Sequence, residues 1–174
     1  MGVAGMKGKR SVRNMALSLG VSCLAAGVIY IFVPHDGTTP PAKRVDYRVE
    51  LLTARRAASY SVAAPEGLPS TWKATSVRFR GDDFDAWHLG FQDPEGKYVA
   101  VEQSTRKPSA FIEDAAQDAE ETGDTQKVGD RVWQRYEGDR YDALVLEDKG
   151  VTTVVTGSAS FARLTEMAEA LKTE

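Results

Sequence analysis

Residues 15–33 show no alternation of hydrophobic and polar positions, whereas the rest of the chain alternates in two rhythms. The run Met15-Ala16-Leu17-Ser18-Leu19-Gly20-Val21-Ser22-Cys23-Leu24-Ala25-Ala26-Gly27-Val28-Ile29-Tyr30-Ile31-Phe32-Val33 is 19 residues long and carries no charge. At ~1.5 Å per residue a helix of that length spans about 28 Å, close to the ~30 Å hydrocarbon core of a bilayer. Its apolar character extends around the whole helix, so a one-sided core helix is a poor match. The expectation is a transmembrane helix over 15–33, with Tyr30 and Phe32 at an interface. Lys7, Lys9, Arg10 and Arg13 precede it and no acid occurs before Asp36. The positive-inside rule therefore makes residues 1–14 a cytoplasmic basic tail and sends the rest outside.

Two rival readings of the run fit less well. A cleaved signal peptide has an apolar core of ~7–15 residues and a small-x-small site. This run is longer and ends Ile31-Phe32-Val33-Pro34. Leu19-Gly20-Val21-Ser22-Cys23 is a loose lipobox, but ten apolar residues follow Cys23 where a lipoprotein turns polar. Gly20, Cys23 and Gly27 share a helix face, a pattern that packs helices in lipid and also occurs in single anchors.

Pro34 to Arg44 reads as a linker, with turn and polyproline character at Pro34, Gly37, Pro40 and Pro41. Helical spacing then returns over 45–58, in Val45, Val49 and Leu52 and again in Tyr47, Leu51, Ala54 and Ala58. Tyr60-Ser61-Val62 reads as a short strand. Ala64-Pro65-Glu66-Gly67-Leu68-Pro69 reads as a rigid turn that no helix or central strand can contain.

From residue 73 the rhythm becomes two. Strands are predicted over 73–80, 85–92 and 97–104. Trp87, Leu89 and Phe91 share one face of the second strand, and Asp93-Pro94-Glu95-Gly96 forms a type I turn after it. Pro108 opens a helix whose stripe is Phe111, Ile112, Ala115, Ala116 and Ala119, and Gly123 closes it. A second half repeats the order, with strands over 128–136, 141–147 and 151–156. A final helix follows, capped by Ser160 and striped by Phe161, Leu164, Met167, Ala168 and Leu171. Corresponding elements lie about 55 residues apart in this reading, which suggests duplication.

Short turns imply antiparallel pairing, and one-sided helices must cover a sheet. The expected fold is α+β: an N-terminal transmembrane helix, then a twisted antiparallel sheet of six or seven strands with helices packed on one face. Residues 45–174 form this extracytoplasmic domain. The opposite sheet face is expected to carry Arg78, Arg80, Tyr98 and Glu102.

Charge and composition narrow the partners. Lys+Arg 22 against Asp+Glu 25 gives the chain −3, and the basic tail holds four of the bases. Residues 14–174 therefore carry 18 bases against 25 acids, a net −7. So acidic a domain does not suit nucleic acid or anionic polymers. One cysteine and two histidines exclude an internal disulfide and a paired Cys/His zinc site. No cofactor is expected.

Few residues suggest chemistry. His88 is the one histidine in the domain and points away from Trp87, Leu89 and Phe91. With Glu102 it forms the candidate acid–base or ligand-contact pair; a sheet-surface histidine bonded across strands is the simpler reading. No Gly-x-Ser-x-Gly elbow occurs, and Ser104 and Ser109 have no pattern supporting a nucleophile. Asp82, Asp83 and Asp85 lack the spacing of an EF-hand loop. Glu113, Asp114, Asp118, Glu120 and Glu121 read as a solvated helix face. Trp72, Trp87 and Trp133 read as core anchors, with Trp72 also a candidate ligand or partner contact.

Several segments together are familiar: Ala64-Pro65-Glu66-Gly67-Leu68-Pro69, Trp72, Thr75-Ser76-Val77-Arg78, Trp87-His88-Leu89-Gly90-Phe91, Tyr98-Val99-Ala100-Val101-Glu102-Gln103-Ser104 and Gly150-Val151-Thr152-Thr153-Val154-Val155-Thr156-Gly157. In this order they resemble an actinobacterial family of N-anchored proteins, domain-of-unknown-function family 4245. The resemblance covers about residues 45–172 and the anchor. It implies a single-pass membrane protein with an extracytoplasmic domain and supplies no activity and no catalytic residue.

The expectation is a non-enzymatic binding or interaction domain at the cell envelope. It would be held by the lipid bilayer through residues 15–33 and bind an envelope protein or a small ligand. The rival expectations are a small envelope hydrolase using His88 and Glu102, and a structural subunit of an envelope complex.

Overall fold

The computed structural model describes Met15, residues 18–23 and residues 43–173. Residues 1–14, most of 15–33 and residues 34–42 lie outside the described residues, and with them the expected tail, most of the anchor and the linker. Met15 and residues 18–23 are helical. Among the described residues, no helix is long and apolar enough to cross a membrane.

Residues 42–174 form one compact unit. Its helices are α1 (Arg48–Ala57), α2 (Pro108–Ala115) and α3 (Phe161–Ala170). Its strands are β1 (Ala63–Pro65), β2 (Lys73–Arg80), β3 (Ala86–Gln92), β4 (Tyr98–Ser104), β5 (Glu120–Val128), β6 (Arg131–Glu137), β7 (Asp142–Asp148), β8 (Val151–Gly157) and β9 (Leu171–Thr173). Seven strands make an antiparallel sheet in the order β2-β3-β4-β8-β7-β6-β5, and β1 pairs with β9 in a separate ribbon. The two sets β2-β3-β4 and β6-β7-β8 meet at the central β4–β8 pair. Each set is followed in the chain by a helix, which matches the repeated order read from the sequence.

Alternation along β3 delivers what it predicts. Trp87, Leu89 and Phe91 are buried together with Val99 and Val101 of β4, Leu144 of β7 and Val155 of β8. Leu164, Met167 and Ala168 of α3 close this core, and Ala54 of α1 joins it beside Tyr47, Leu51 and Ala58. The second of the two apolar stripes read over 45–58 is therefore the buried one, while Val49 and Leu52 face solvent. Trp72, Trp87 and Trp133 are all core residues.

The helices do not all lie on one face. Adjacent residues of β7 and β8 serve opposite sides: Leu144 and Val155 face the α3 core. Ala143, Val145 and Val154 face a second core with Phe111, Ile112 and Ala116 of α2. Nearly every residue of β8 is buried, as a strand covered on both faces requires. The all-β-branched run 151–156 carries that signature, which overturns the one-sided expectation.

Three element boundaries also differ. The strand expected at Tyr60-Ser61-Val62 forms instead at Ala63–Pro65. Pro65 fits because a two-stranded ribbon has free edges, so its missing N–H leaves no ladder bond unmade. The helix opened by Pro108 ends at Ala115, not at Gly123. Gln117 and Asp118 turn left-handed (φ 51° and 63°), and the chain re-enters the sheet at Glu120. Gly123, at φ 80°, sits in the irregular stretch of β5 between Glu121 and Thr125. The strand expected over 128–136 is the β5–β6 hairpin, turning at Gly129 and Asp130. Strand β5 is almost wholly exposed, so no alternation marks it as a strand. Ser160 does occupy the N-cap of α3, but its side chain makes no capping bond.

The edge strand β2 is shielded. Val45 donates its N–H to the Ala74 carbonyl (2.9 Å), and the Glu50 carboxylate accepts the Phe79 N–H (3.2 Å). Such cover blocks edge-to-edge pairing.

Candidate functional site

The α2 face of the sheet is covered over β7 and β8, while polar residues occupy it on β2–β4. There the antiparallel register sets Arg78, His88, Glu102 and Val154 in one row across four strands. His88 and Glu102 are thus direct cross-strand neighbours, and His88 Nδ1 lies 2.5 Å from Glu102 Oε1. His88 Nε2 lies 2.8 Å from Ser76 Oγ. With Nδ1–H donated to the carboxylate, a neutral imidazole keeps its lone pair at Nε2 and accepts the Ser76 hydroxyl proton. Ser76, His88 and Glu102 form a hydroxyl–imidazole–carboxylate line.

Two features of the backbone build this line. Alternation with Val77 and Phe79 puts Ser76 on the polar face, and the β2–β3 register shift between Ala74 and Ser76 returns Ala74 to the core side. Gly90, opposite Ser76, leaves room above the sheet. A Cβ there would overlap Ser76 Oγ and lie 3.1 Å from the Tyr98 ring and hydroxyl. The Tyr98 hydroxyl and Ser76 Oγ both crowd the space above Gly90. Burial pushes the Tyr98 phenol up to about 12, and the nearby Glu102 charge adds to the rise.

Trp72 is not part of this group. It packs edge-on against Phe91 on the α3 face and donates Nε1–H to Glu166 Oε1 at 3.1 Å. Glu166 in turn accepts from Arg163 at 2.8 Å. Trp72 borders a hollow of about 530 Å³ beside Arg44 and Arg48, where the chain enters the domain. Of the three residues singled out in the sequence, the fold joins His88 to Glu102 and places Trp72 on the other side of the sheet.

A larger concavity is also on the α3 face. A cleft of about 830 Å³ opens between the β1–β9 ribbon, the C-terminal end of α3, and the β5–β6 and β7–β8 turns. Its floor is Gln103, Thr153, Leu146 and Trp133, on β4, β8, β7 and β6. The floor's polar groups are engaged: Gln103 Nε2 donates to Thr153 Oγ1 (2.9 Å), and Gln103 Oε1 accepts the Ala63 N–H (2.7 Å). At the rim, Arg131 pairs with Asp148 at 3.2 Å.

Sequence reasoning missed Ser76: alternation puts it on the face of Arg78, but its place diagonal to His88 is set by the β2–β3 pairing, which no local pattern marks. It also missed the cleft, whose floor comes from four strands far apart in the chain. Alternation does carry a partial signal, since Gln103, Thr153 and Trp133 fall on core-facing positions of their strands. Among the described residues, no group of three or more His, Cys, Asp or Glu side chains is placed to hold a metal ion.

A seven-stranded antiparallel sheet covered on both faces, with a cleft at one end and a polar array on the other side, defines a compact α+β domain. The chain matches, over residues 7–171, the family described as Protein of unknown function (DUF4245), and it belongs to that family. No curated protein matches it.

Proposed function

We propose that this is a non-enzymatic binding domain at the cell envelope, tethered by residues 15–33, that takes a small ligand in the α3-face cleft. The observation that carries this reading is the placement of concavity and chemistry. A cleft of about 830 Å³ has the size of small-molecule sites, which run to ~300–1,000 Å³. Its floor residues Leu146 and Trp133 offer apolar contact, and Gln103 and Thr153 offer fixed polar groups. The acid–base pair His88–Glu102 lies on the opposite face of the same sheet, out of reach of anything bound there. A ligand in the cleft is held without meeting an imidazole.

The probe that tests the cleft is 1-anilinonaphthalene-8-sulfonate, titrated into the full chain in detergent. One saturable site is expected, lost in Leu146→Lys and kept in His88→Ala. Equal binding by Leu146→Lys would remove the cleft from consideration. The tether is tested with protease added to intact spheroplasts, which is expected to digest the domain. Full protection, or release of a domain starting near residue 35, would reject it.

A second reading, a small hydrolase, is favoured by one observation: Ser76 completes the line to His88 and Glu102. In that chemistry Ser76 Oγ attacks, His88 takes its proton and Glu102 steadies the imidazole. A fluorophosphonate would then form a bond from phosphorus to Ser76 Oγ and expel fluoride. Labelling of the wild type, absent in Ser76→Ala and His88→Ala, would support the hydrolase and displace the binding reading.

A further inference from the structure

We propose that Phe84 anchors a docking surface for a partner protein, entering an apolar socket rimmed by Lys or Arg side chains. The proposal stands independently of the cleft. Phe84 lies in the turn between β2 and β3 and is 58% exposed. Its φ is 52°, and that of Asp85 is 53°. Left-handed backbone is unfavourable for every residue with a Cβ, and for a bulky one it is a clear outlier. Among the described residues, the other non-glycine positions with positive φ are polar: Asp85, Gln117, Asp118 and Lys149.

The strain is held in place from both sides. The Phe84 carbonyl accepts three hydrogen bonds, from Ser104 Oγ, Thr105 Oγ1 and the Thr105 N–H, each at 3.0 Å. The next residue is fixed equally firmly. The Asp85 carboxylate accepts the Ser59 hydroxyl (2.6 Å) and N–H (3.0 Å), and the Asp85 carbonyl accepts the Tyr60 hydroxyl (2.6 Å). Six hydrogen bonds from two other segments thus fix a turn whose one large apolar side chain stays more than half exposed in the free domain. Strain that surroundings enforce clusters at functional sites. An exposed aromatic on a fixed turn is also suited to anchor a protein interface, because the backbone that carries it needs no ordering on binding.

Charge selects the partner. Asp82 is exposed beside Phe84, Asp83 is half-buried and pairs with Arg80 at 3.4 Å, and Asp85 is bonded to Ser59. An acidic tip is repelled by an anionic bilayer and attracted to a basic rim. Val45 meets Ala74 at the other end of β2 from this tip.

The test uses the full chain in its native host, with p-benzoylphenylalanine replacing Phe84, and in a second strain replacing Val132, which is 55% exposed. Irradiation should join position 84 to one identified protein and leave position 132 without it. Purified, that protein should bind the parent at least 10-fold more tightly than Phe84→Ala, and high salt should weaken the binding. Phe84→Gly should melt no lower than the parent. The proposal is overturned by adducts to lipid alone, by the same adduct from position 132, by no adduct at either position, by unchanged affinity in Phe84→Ala, or by a clearly lower melting temperature for Phe84→Gly, which would make Phe84 a structural residue.

Discussion

The indole Nε1–H of Trp87 donates to the Ala63 carbonyl at 3.0 Å, tying the start of β3 to the β1–β9 ribbon that borders the cleft. Trp87 is 1% exposed and its neighbours Leu89 and Phe91 are buried with it. One side chain therefore supplies both core volume and the satisfaction of a buried carbonyl.

Trp87→Ala should destabilise the domain by ~3–5 kcal/mol, from lost transfer energy and an unfilled cavity. Domains of this size have only ~5–15 kcal/mol in total. Denaturant melts of the domain measure the loss directly. A variant that melts within a degree or two of the parent would contradict the buried assignment. Trp87→Phe retains most of the packing and should lose about 1 kcal/mol for the hydrogen bond.

His88→Ala should cost on the order of 1 kcal/mol, because Ser76 and Glu102 lose a partner but both remain within reach of water. Dye binding in the cleft should not change, since that surface lies across the sheet. Urea denaturation and the dye titration, run on the same preparation, separate the two effects.

Two buried glycines should respond differently to alanine. At Gly90 the added Cβ meets the movable Ser76 hydroxyl, so Gly90→Ala should lose ~1–3 kcal/mol and recover part of it when combined with Ser76→Ala. At Gly157 the Cβ would overlap the Tyr98 carbonyl oxygen and crowd Val99 Cα, which are backbone atoms in the central β4–β8 pair. Gly157→Ala should cost more, and no side-chain truncation should restore it. A double-mutant cycle by thermal denaturation checks both statements.

Alkaline pH should unfold the domain partly through Tyr98. Its phenol is raised from 10.0 to about 12, so the folded state holds the proton more tightly than the unfolded chain does. That stabilisation is complete below pH 10 and is lost as pH rises through 10 towards 12. Burial also raises Tyr60, with help from the Asp85 and Glu102 charges, and the same sign applies. Tyr98→Phe should therefore show a shallower loss of stability between pH 10 and 12 than the parent. Absorbance of tyrosinate followed alongside circular dichroism gives the comparison.

Much of the architecture is local and was readable from the sequence. Trp87, Leu89 and Phe91 at period two fix the inner face of β3, because successive strand residues point to opposite sides. Asp93-Pro94-Glu95-Gly96 fixes the β3–β4 turn, where Gly96 donates to the Asp93 carbonyl at 3.0 Å and has φ 81°. Phe161, Leu164, Met167 and Ala168 fix the buried stripe of α3. These features follow from bonds and sterics within a few residues.

What tertiary structure decided depends on register between distant segments. The β2–β3 pairing sets Ser76 opposite Gly90 and diagonal to His88, and the bulge before Ser76 returns Ala74 to the core face. The early end of α2 at Ala115 and the exposed strand β5 follow from pairing with β6, which overrides the helical spacing of Ala116 and Ala119. Strand β8 sits between two cores because β4 and β7 flank it, so Val154 and Val155 serve opposite helices. The cleft gathers Gln103, Thr153, Leu146 and Trp133 from four strands by the same means. Side-chain periodicity determines which face a residue takes, and strand pairing determines what it meets there, because that contact is made by residues tens of positions away.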